Sequence, residues 1–413
     1  MQLSLLLLQI SVILATVRIV GWVFRKLGQP QVIGDMVSGV LLGPSVFGAI
    51  APKASAALFS ERSLPFINAL SQVGLVFFLF LIGLTHDPKS LKGRGPMAVI
   101  TSHASICVPF ALGALLALVL YPRLSDDSVT FTQFALFMGV GMSITAFPVL
   151  ARILEERRLA DTTVGATAIV CAAVDDVTGW LVIAGVLLLV HAQGAHVPIW
   201  VAVPGTIAYA AFMLKGAGRF LRFFNSAYHA RKELTHDLFA GVLLLALCSA
   251  YVTERLGIHP LFGAFLAGVA MPKDEAFARA LSQRLEDLTV VFFLPLFFVF
   301  SGLRTRIGLL SGAEAWVYFA AAFVIAVSGK LGGAAVAARA AGLPWREAAS
   351  LGALVNARGL VELVVLNIGL DAGVVSPALF AILVLVAIAT TLMTTPLLDL
   401  FYPPHLRRSA APA

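Results

Sequence analysis

Two adjacent carboxylates, Asp175 and Asp176, lie near the middle of an apolar run that is long enough to cross a bilayer. The run, TTVGATAIVCAAVDDVTGWLVIAGVLLLV, holds no other charged residue. An ionised carboxylate at that depth costs roughly 2.5 to 3.5 kcal/mol on insertion scales, so intramembrane carboxylates commonly mark an ion or proton pathway. The pair therefore predicts a cation or proton site. A buried ion pair that only locks helices together is the structural alternative.

The chemistry of such a pair favours competition between cations and protons. Two carboxylates side by side in a low dielectric should not both ionise freely, and they should titrate as a coupled set. A cation such as Na+ takes several oxygen ligands, which carboxylates, hydroxyls and freed backbone carbonyls can supply. If the loaded forms of the site can cross the membrane and the empty form cannot, competition alone gives obligatory exchange.

Two other apolar runs carry polar or helix-breaking residues at mid-depth, and interrupted helices in corresponding halves of a chain point to a transport site. The first, GVGMSITAFPVLARIL, contains Ser143, Thr145 and Pro148. The second, ASLGALVNARGLVELVVLNIGL, contains Asn356, Arg358, Gly359 and Glu362. An inverted repeat would place the two breaks opposite each other near Asp176.

Simpler roles for these polar residues stay open. Arg358 and Glu362 are four residues apart on one helix face, so they either belong to the site or neutralise each other. Thr145 either coordinates the cation or satisfies a backbone carbonyl freed near Pro148, because a proline removes one helical hydrogen bond.

The elements that must position these residues are membrane-spanning helices. The chain is 59% hydrophobic and only 12% charged, with a mean hydropathy of +0.94, which indicates an all-α polytopic membrane protein. With about 20 apolar residues per span as the measure, the sequence predicts about thirteen transmembrane helices. Their approximate bounds are 3–24, 32–50, 64–84, 96–121, 131–154, 163–190, 197–222, 236–255, 258–272, 286–303, 313–340, 346–369 and 374–401, of which the ninth is the weakest.

The basic residues predict the orientation of these helices. Of the 29 Lys and Arg residues, 19 fall in loops after odd-numbered spans and six in loops after even-numbered ones. The positive-inside rule then places the N-terminus outside and the C-terminus in the cytoplasm of a cell (inner) membrane. This asymmetry also explains the net charge of +7 without a nucleic-acid partner.

Composition and motifs argue against an enzyme and against a cofactor. The sequence has no HExxH motif, its eight histidines are scattered, and its three cysteines form no CxxC spacing. About a dozen residues follow the last predicted span, so we expect one transmembrane domain over 1–413 and no soluble regulatory domain. The transported ions are the only small partners that we expect.

Five ordered motifs between about residues 10 and 400 resemble the monovalent cation:proton antiporter-2 family, whose membrane domain is Na+/H+ exchanger-like. They are QPQVIGDMVSGVLLGPSVFG, SITAFPVLARIL, the aspartate pair, FFVFSGLRT and NARGLVELVVLNIGL. The resemblance implies an inverted repeat with two crossed discontinuous helices and elevator-type alternating access. It further implies a core of helices roughly over 96–190 and 313–401, dimerisation helices roughly over 3–50 and 197–272, and a homodimer.

The same resemblance assigns roles at the site. Asp176 matches the cation- and proton-binding aspartate, Asp175 its partner in the pair, and Thr145 the break of the first crossed helix. Lys330 matches the lysine that pairs with the first aspartate in electrogenic members; a lysine in a glycine-rich span can also brace a helix. Ser143, Asn356, Arg358 and Glu362 are second-tier site residues.

Together these features predict secondary active exchange of a monovalent cation (Na+, with Li+ or K+ as other candidates) for protons, electrogenic and linked to pH and salt homeostasis. Two alternatives stay open. One is a K+/H+ antiporter, and the other is a passive cation channel on the same fold. The sequence does not distinguish them, because ion selectivity depends on ligand geometry.

Overall fold

The structure is a computed structural model, and it describes residues 3–60, 62–85, 95–159, 162–191 and 197–403. Within these ranges all regular structure is helical. The α-helices are α1 (Leu3–Lys26), α2 (Gln31–Leu42), α3 (Phe47–Ile50), α4 (Pro52–Leu58), α5 (Leu64–Thr85), α6 (Gly95–Leu124), α7 (Phe131–Ser143), α8 (Phe147–Glu156), α9 (Thr163–His191), α10 (Ile199–Ala211), α11 (Gly218–Arg231), α12 (His236–Arg255), α13 (Pro260–Ala270), α14 (Glu275–Leu288), α15 (Leu294–Leu303), α16 (Ala313–Val327), α17 (Gly333–Ala340), α18 (Trp345–Val355), α19 (Leu360–Asp371) and α20 (Pro377–Phe401).

The all-α polytopic membrane fold is confirmed. In the described part of the chain, 11 helical runs are long and apolar enough to cross a membrane, and the bent pair α18–α19 brings the number to 12. The ninth predicted span corresponds to α13, which has 11 residues. At 1.5 Å per residue it reaches about 16 Å, roughly half the thickness of the hydrocarbon core.

Two parts of the orientation argument lie outside the described residues. The third predicted loop carries Lys89, Lys92 and Arg94, and the C-terminal segment 404–413 carries Arg407 and Arg408. The predicted orientation of the termini therefore stays a prediction.

The chain divides into two compact units. The first unit comprises Glu61–Ser90 and Ala184–Phe300, and the second comprises Gln2–Ser60, Leu91–Ile183 and Ser301–Ala413. Residues 3–50, predicted to belong with the dimerisation helices, lie in the same unit as most of the predicted core helices. The division into core and dimerisation domains stays a prediction.

The first unit is built around a close crossing of α5 and α13. A Cβ at Gly83 would overlap the backbone of α13 near Phe265, and a Cβ at Gly268 would overlap the backbone of α5 near Phe80. Lys273 closes the same crossing, because its Nζ donates to the carbonyls of Gly83 (2.7 Å) and Gly268 (3.1 Å). Small residues at helix interfaces permit this approach in membranes.

Gly268→Ala is expected to destabilise the protein by about 1 to 3 kcal/mol, because the added methyl group has no space at the crossing. The melting midpoint of the purified protein in detergent measures the effect. Gly308→Ala is the matched control, since a Cβ at Gly308 would meet no atom within 4 Å in the structure. An equal midpoint for the two variants would contradict the proposed crossing.

The second unit holds both predicted interruptions. The first lies between α7 and α8, where Ile144 and Ala146 have extended backbone. The second lies between α18 and α19, whose axes bend by 44°. The two breaks touch, because the backbone N–H of Ala146 donates to the carbonyl of Ala357 at 3.0 Å. Two discontinuous helices therefore cross where the sequence predicted them.

Candidate cation and proton site

Asp175 lies beside the first break, where three hydroxyl groups surround its carboxylate. Ser102 Oγ donates to Oδ1 at 2.5 Å, and Ser105 Oγ donates to the carboxylate with its nearest contact at 3.0 Å to Oδ2. Thr145 Oγ1 donates to Oδ2 at 2.5 Å. All four residues are buried. Hydrogen bonds of this kind stabilise the charged form of a carboxylate.

Lys330 supplies the positive charge next to this carboxylate. Its Nζ lies 3.7 Å from Asp175 Oδ2, and both side chains are buried. The ammonium also donates to the carbonyls of Ser105, at 3.1 Å, and of Ser143. Lys330 lies in a π-helical turn, Ser328–Gly332, between α16 and α17. The lysine thus contacts Asp175, as the resemblance implies, and also braces the end of α7.

Asp176 is the next residue of α9 and is equally buried. Successive side chains of a helix point about 100° apart, so neighbours at i and i+1 do not share a face. The serine, threonine and lysine contacts described above all go to Asp175. The two carboxylates consequently have different surroundings: Asp175 belongs to a network of hydroxyls and an ammonium, and Asp176 lies outside those bonds.

Arg358 connects the second break to the first. Its guanidinium donates to the carbonyls of Gly141 (2.7 Å) and Met142 (2.6 Å), and to Glu362 Oε1 at 3.0 Å. Its backbone N–H donates to Thr391 Oγ1 at 3.0 Å. Arg358 therefore pairs with Glu362, which is one of the two roles that the sequence left open, and it also contacts the carboxyl end of α7. Its membership of the transport site stays a prediction.

The carboxyl end of α7 is held by two cations. The carbonyls of Gly141 and Met142 accept from Arg358, and the carbonyl of Ser143 accepts from Lys330. The last carbonyls of a helix carry partial negative charge and have no partner within the helix. Buried ammonium and guanidinium groups satisfy them here, which allows a half-helix to end inside an apolar region.

Thr145 lies in the break between α7 and α8, and Asn356 lies in the break between α18 and α19. The Thr145 hydroxyl lies 3.3 Å from the carbonyl oxygen of Val355, in addition to its bond to Asp175. Asn356 follows Val355, is fully buried, and neither its amide nitrogen nor its amide oxygen has a hydrogen-bond partner among the described residues. Ser143 contacts Lys330 through its backbone carbonyl. Its hydroxyl donates to the Val140 carbonyl within the same helix at 3.0 Å.

Sequence reasoning missed Ser102 and Ser105. Both lie in α6, three residues apart and therefore on one face, and both donate to Asp175. The signal was present as a group of hydroxyls in the segment ITSHASICV, whose other residues are apolar except for His103. Hydroxyls within an apolar span are as informative as charges, because each needs a partner there.

The arrangement collects oxygen atoms and charges of both signs in a buried region. Two carboxylates, three hydroxyls and an orphaned amide surround the crossing, with Lys330 and Arg358 beside them. Oxygen ligands of this kind suit monovalent cations, and carboxylates exchange protons. The same groups can therefore hold either a cation or protons.

The amino-acid sequence is similar to those of known cation/proton antiporters. Residues 12–400 match the family described as sodium/hydrogen exchanger, transmembrane. The chain is 38% identical to the Na(+)/H(+) antiporter NhaS4 of Synechocystis sp., covering 97% of this chain and 98% of that one. It is 34% identical to K(+)/H(+) antiporter 1 of Saccharomyces cerevisiae, covering 98% of this chain and 47% of that one, so it spans about half of the yeast protein's length.

A solved structure shares the fold. The sodium proton antiporter MjNhaP1 of Methanocaldococcus jannaschii superposes with a TM-score of 0.67, covering 98% of this chain and 99% of that one. The sequence identity is 16%, so the likeness concerns the fold alone.

Proposed function

The chain belongs to the transmembrane sodium/hydrogen exchanger family, and from that premise we propose that it exchanges a monovalent cation, Na+ in the first instance, for protons across a membrane. The family consists of transporters, in agreement with the prediction that the chain is not an enzyme. We place the exchange at Asp175 and Asp176, with Thr145 as a further ligand and Lys330 as the charge partner.

The observation that supports this site most directly is the network around Asp175. A buried carboxylate that accepts bonds from three hydroxyls and faces a buried ammonium at 3.7 Å lies beside two interrupted helices. Interrupted helices free backbone carbonyls for cations. Its neighbour Asp176 is buried at the next position of the same helix, and we propose that Asp176 binds the cation or a proton directly.

The charges favour an electrogenic cycle. Arg358 and Glu362 form an ion pair and cancel. With Asp175, Asp176 and Lys330 ionised, a bound monovalent cation makes the site neutral, whereas two bound protons give it one positive charge. Exchange of two protons for one cation would then move one net charge per cycle, which couples transport to voltage by about 2.3 kcal/mol per 100 mV.

We propose that the loaded site moves by an elevator-type alternation in which the empty, negatively charged site does not cross. The empty site leaves Asp175 and Asp176 ionised side by side in the low dielectric of the membrane, whereas a bound cation neutralises one of these charges and two bound protons neutralise both. Exchange rather than leak follows from this difference. The proposal includes a homodimer in the cell membrane, with the N-terminus outside and the C-terminus in the cytoplasm.

Reconstitution in liposomes tests the proposed exchange. Internal pH is followed after external pulses of Na+, Li+, K+ and choline at matched ionic strength, with the membrane potential free or clamped. Proton movement after Na+ or Li+ but not after choline, with a rate that responds to voltage, is the expected result. Proton movement after K+ alone would support the K+/H+ alternative, which the name of the yeast relative favours.

Cation flux without proton movement would contradict the carrier. That outcome would support the passive channel, because a channel conducts the cation without requiring a counter-ion. A potassium- or sodium-selective dye inside the same vesicles measures the flux independently of pH, so the two mechanisms give different pairs of signals.

Asn356→Leu is expected to weaken the apparent cation affinity about tenfold or more while leaving the melting midpoint unchanged or raised. The buried amide has no partner among the described residues, and an apolar side chain of similar shape removes an unsatisfied group. An amide that served only the fold would leave transport unaffected, so the cation concentration for half-maximal exchange measures the role directly.

Asn367→Leu is the matched control for this prediction. Asn367 is also buried, but its amide donates to Ser301 Oγ (2.8 Å) and to the Leu363 carbonyl (2.9 Å), and its oxygen accepts from Arg304 at 3.0 Å. Its replacement should lower the melting midpoint, because three partners lose their bonds. Equal stability losses in both variants would remove Asn356 from the proposed site.

A further inference from the structure

A cavity of about 590 Å³ lies in the first unit, where α10 passes into α11. Its lining includes Lys215, Gly216, Gly218 and Arg222 from that junction, and Ala270 and Pro272 from the end of α13. No residue of the proposed exchange site takes part in it. The cavity therefore needs a separate explanation.

The two cations in this cavity are not neutralised by described residues. Lys215 and Arg222 are exposed, and neither forms a hydrogen bond or an ion pair with another described residue. The acids nearest along the chain after Pro272 are engaged elsewhere: Asp274 lies 3.2 Å from His229, and Glu275 pairs with Arg279 at 2.8 Å. The cavity consequently presents positive charge to a ligand.

The sequence around the cavity strengthens this charge. Residues 212–232 contain five Lys and Arg residues and no Asp or Glu. Lys215 and Arg222 both line the cavity. A group with negative charge bound in the cavity can therefore contact both side chains.

The backbone between these cations is irregular and contains two glycines that line the cavity. The chain forms a π-helical turn over Phe212–Gly216, a widened geometry that is frequent at functional sites. Gly218 follows immediately, and a Cβ at that position would meet no atom within 4 Å in the structure. The floor of the cavity is thus formed partly by glycine backbone, which lets a bulky headgroup come close.

Apolar side chains flank the same segment. Phe220 is 60% exposed and Phe223 is 62% exposed, and they lie three residues apart on one face of α11. A free inorganic anion would gain nothing from these rings. An amphiphile with a negative headgroup and hydrocarbon chains would use both features, since basic pockets between membrane helices bind anionic headgroups and aromatic rings contact acyl chains.

We propose that this cavity binds the headgroup of an anionic phospholipid, which Lys215 and Arg222 contact while its acyl chains lie against Phe220 and Phe223. In this proposal the lipid is bound to the first unit and is not transported.

Lipid binding to the full-length protein in neutral detergent tests the site without any transport measurement. Phosphatidylglycerol and phosphatidylcholine with identical acyl chains are compared by native mass spectrometry and by the melting midpoint. Selective retention of phosphatidylglycerol is expected, and the variant Lys215→Gln/Arg222→Gln should weaken it roughly tenfold or more. Lys215→Arg/Arg222→Lys keeps both charges and should retain binding.

A variant with the same loss of charge elsewhere separates the cavity from general electrostatics. Lys53 and Arg306 are exposed and line no part of the cavity, so Lys53→Gln/Arg306→Gln should retain the preference for phosphatidylglycerol. Equal binding of both lipids would overturn the proposal, as would equal losses in the two glutamine variants. Inorganic phosphate that stabilises the protein as well as phosphatidylglycerol does would replace the lipid with a free anion.

Discussion

Asp176→Asn is expected to abolish coupled exchange while leaving the protein folded. Asparagine has the shape of aspartate but carries no charge and does not release a proton, so the variant offers neither a cation ligand of full charge nor a proton carrier. Removing one member of a buried charged interaction typically costs 2 to 5 kcal/mol, which corresponds to a loss of about 30-fold to several thousand-fold in affinity. Proton movement after a cation pulse in proteoliposomes measures the loss.

Asp126→Asn serves as the control for this variant. Asp126 lies between α6 and α7 and is exposed, so the same chemical change there should leave exchange unaltered. Melting midpoints of the two variants establish that both are folded. Full exchange in Asp176→Asn would show that Asp176 carries neither the proton nor the cation. Asp175 would then be the remaining carboxylate of the pair that could bind them.

The sequence predicted the parts of the site that depend on charge within apolar runs. Asp175 and Asp176 were visible because no other charged residue shares their span, and Arg358 with Glu362 was visible for a similar reason. The two interruptions were also predictable, since a proline or glycine near polar residues breaks a long apolar pattern. Each of these features lies within a single stretch of sequence, so it can be recognised without knowledge of tertiary contacts.

The parts that could not be predicted depend on contacts between distant segments. Ser102 contacts Asp175 across 73 positions of sequence, and Arg358 contacts Gly141 across 217. Neither pairing follows from spacing or hydropathy. The capping of α7 by two cations likewise becomes evident only when the two crossed helices and the lysine of the π-helical turn are in place.

The short helix α13 illustrates a different limit. Hydropathy measures how apolar a segment is, and α13 is strongly apolar, yet it has 11 residues of which eight are buried. An apolar helix packed among other helices and an apolar helix that crosses lipid have the same composition. Length decides between them, and the apolar pattern over 258–272 overstated that length.

The pairing of Lys330 with Asp175 leads to the second large expected effect. Lys330→Gln should lower the free energy of unfolding by about 3 to 5 kcal/mol, because it leaves the buried Asp175 carboxylate without its counter-charge. The melting midpoint in detergent reports this change. Lys330→Gln combined with Asp175→Asn should recover much of the loss, since removing both members of a buried pair leaves no isolated charge.

The double variant Lys330→Gln/Asp175→Asn should also change the charge moved in each cycle. It carries neither the ammonium nor the Asp175 carboxylate, so Asp176 alone alternates between one cation and one proton, and both loaded forms are neutral. Exchange by the double variant should therefore lose its response to a clamped membrane potential, whereas the unaltered protein should respond. A voltage response that persists in the double variant would contradict the assignment of Asp175 and Lys330 to the charge that moves in each cycle, because the charge difference between the loaded forms would then arise elsewhere.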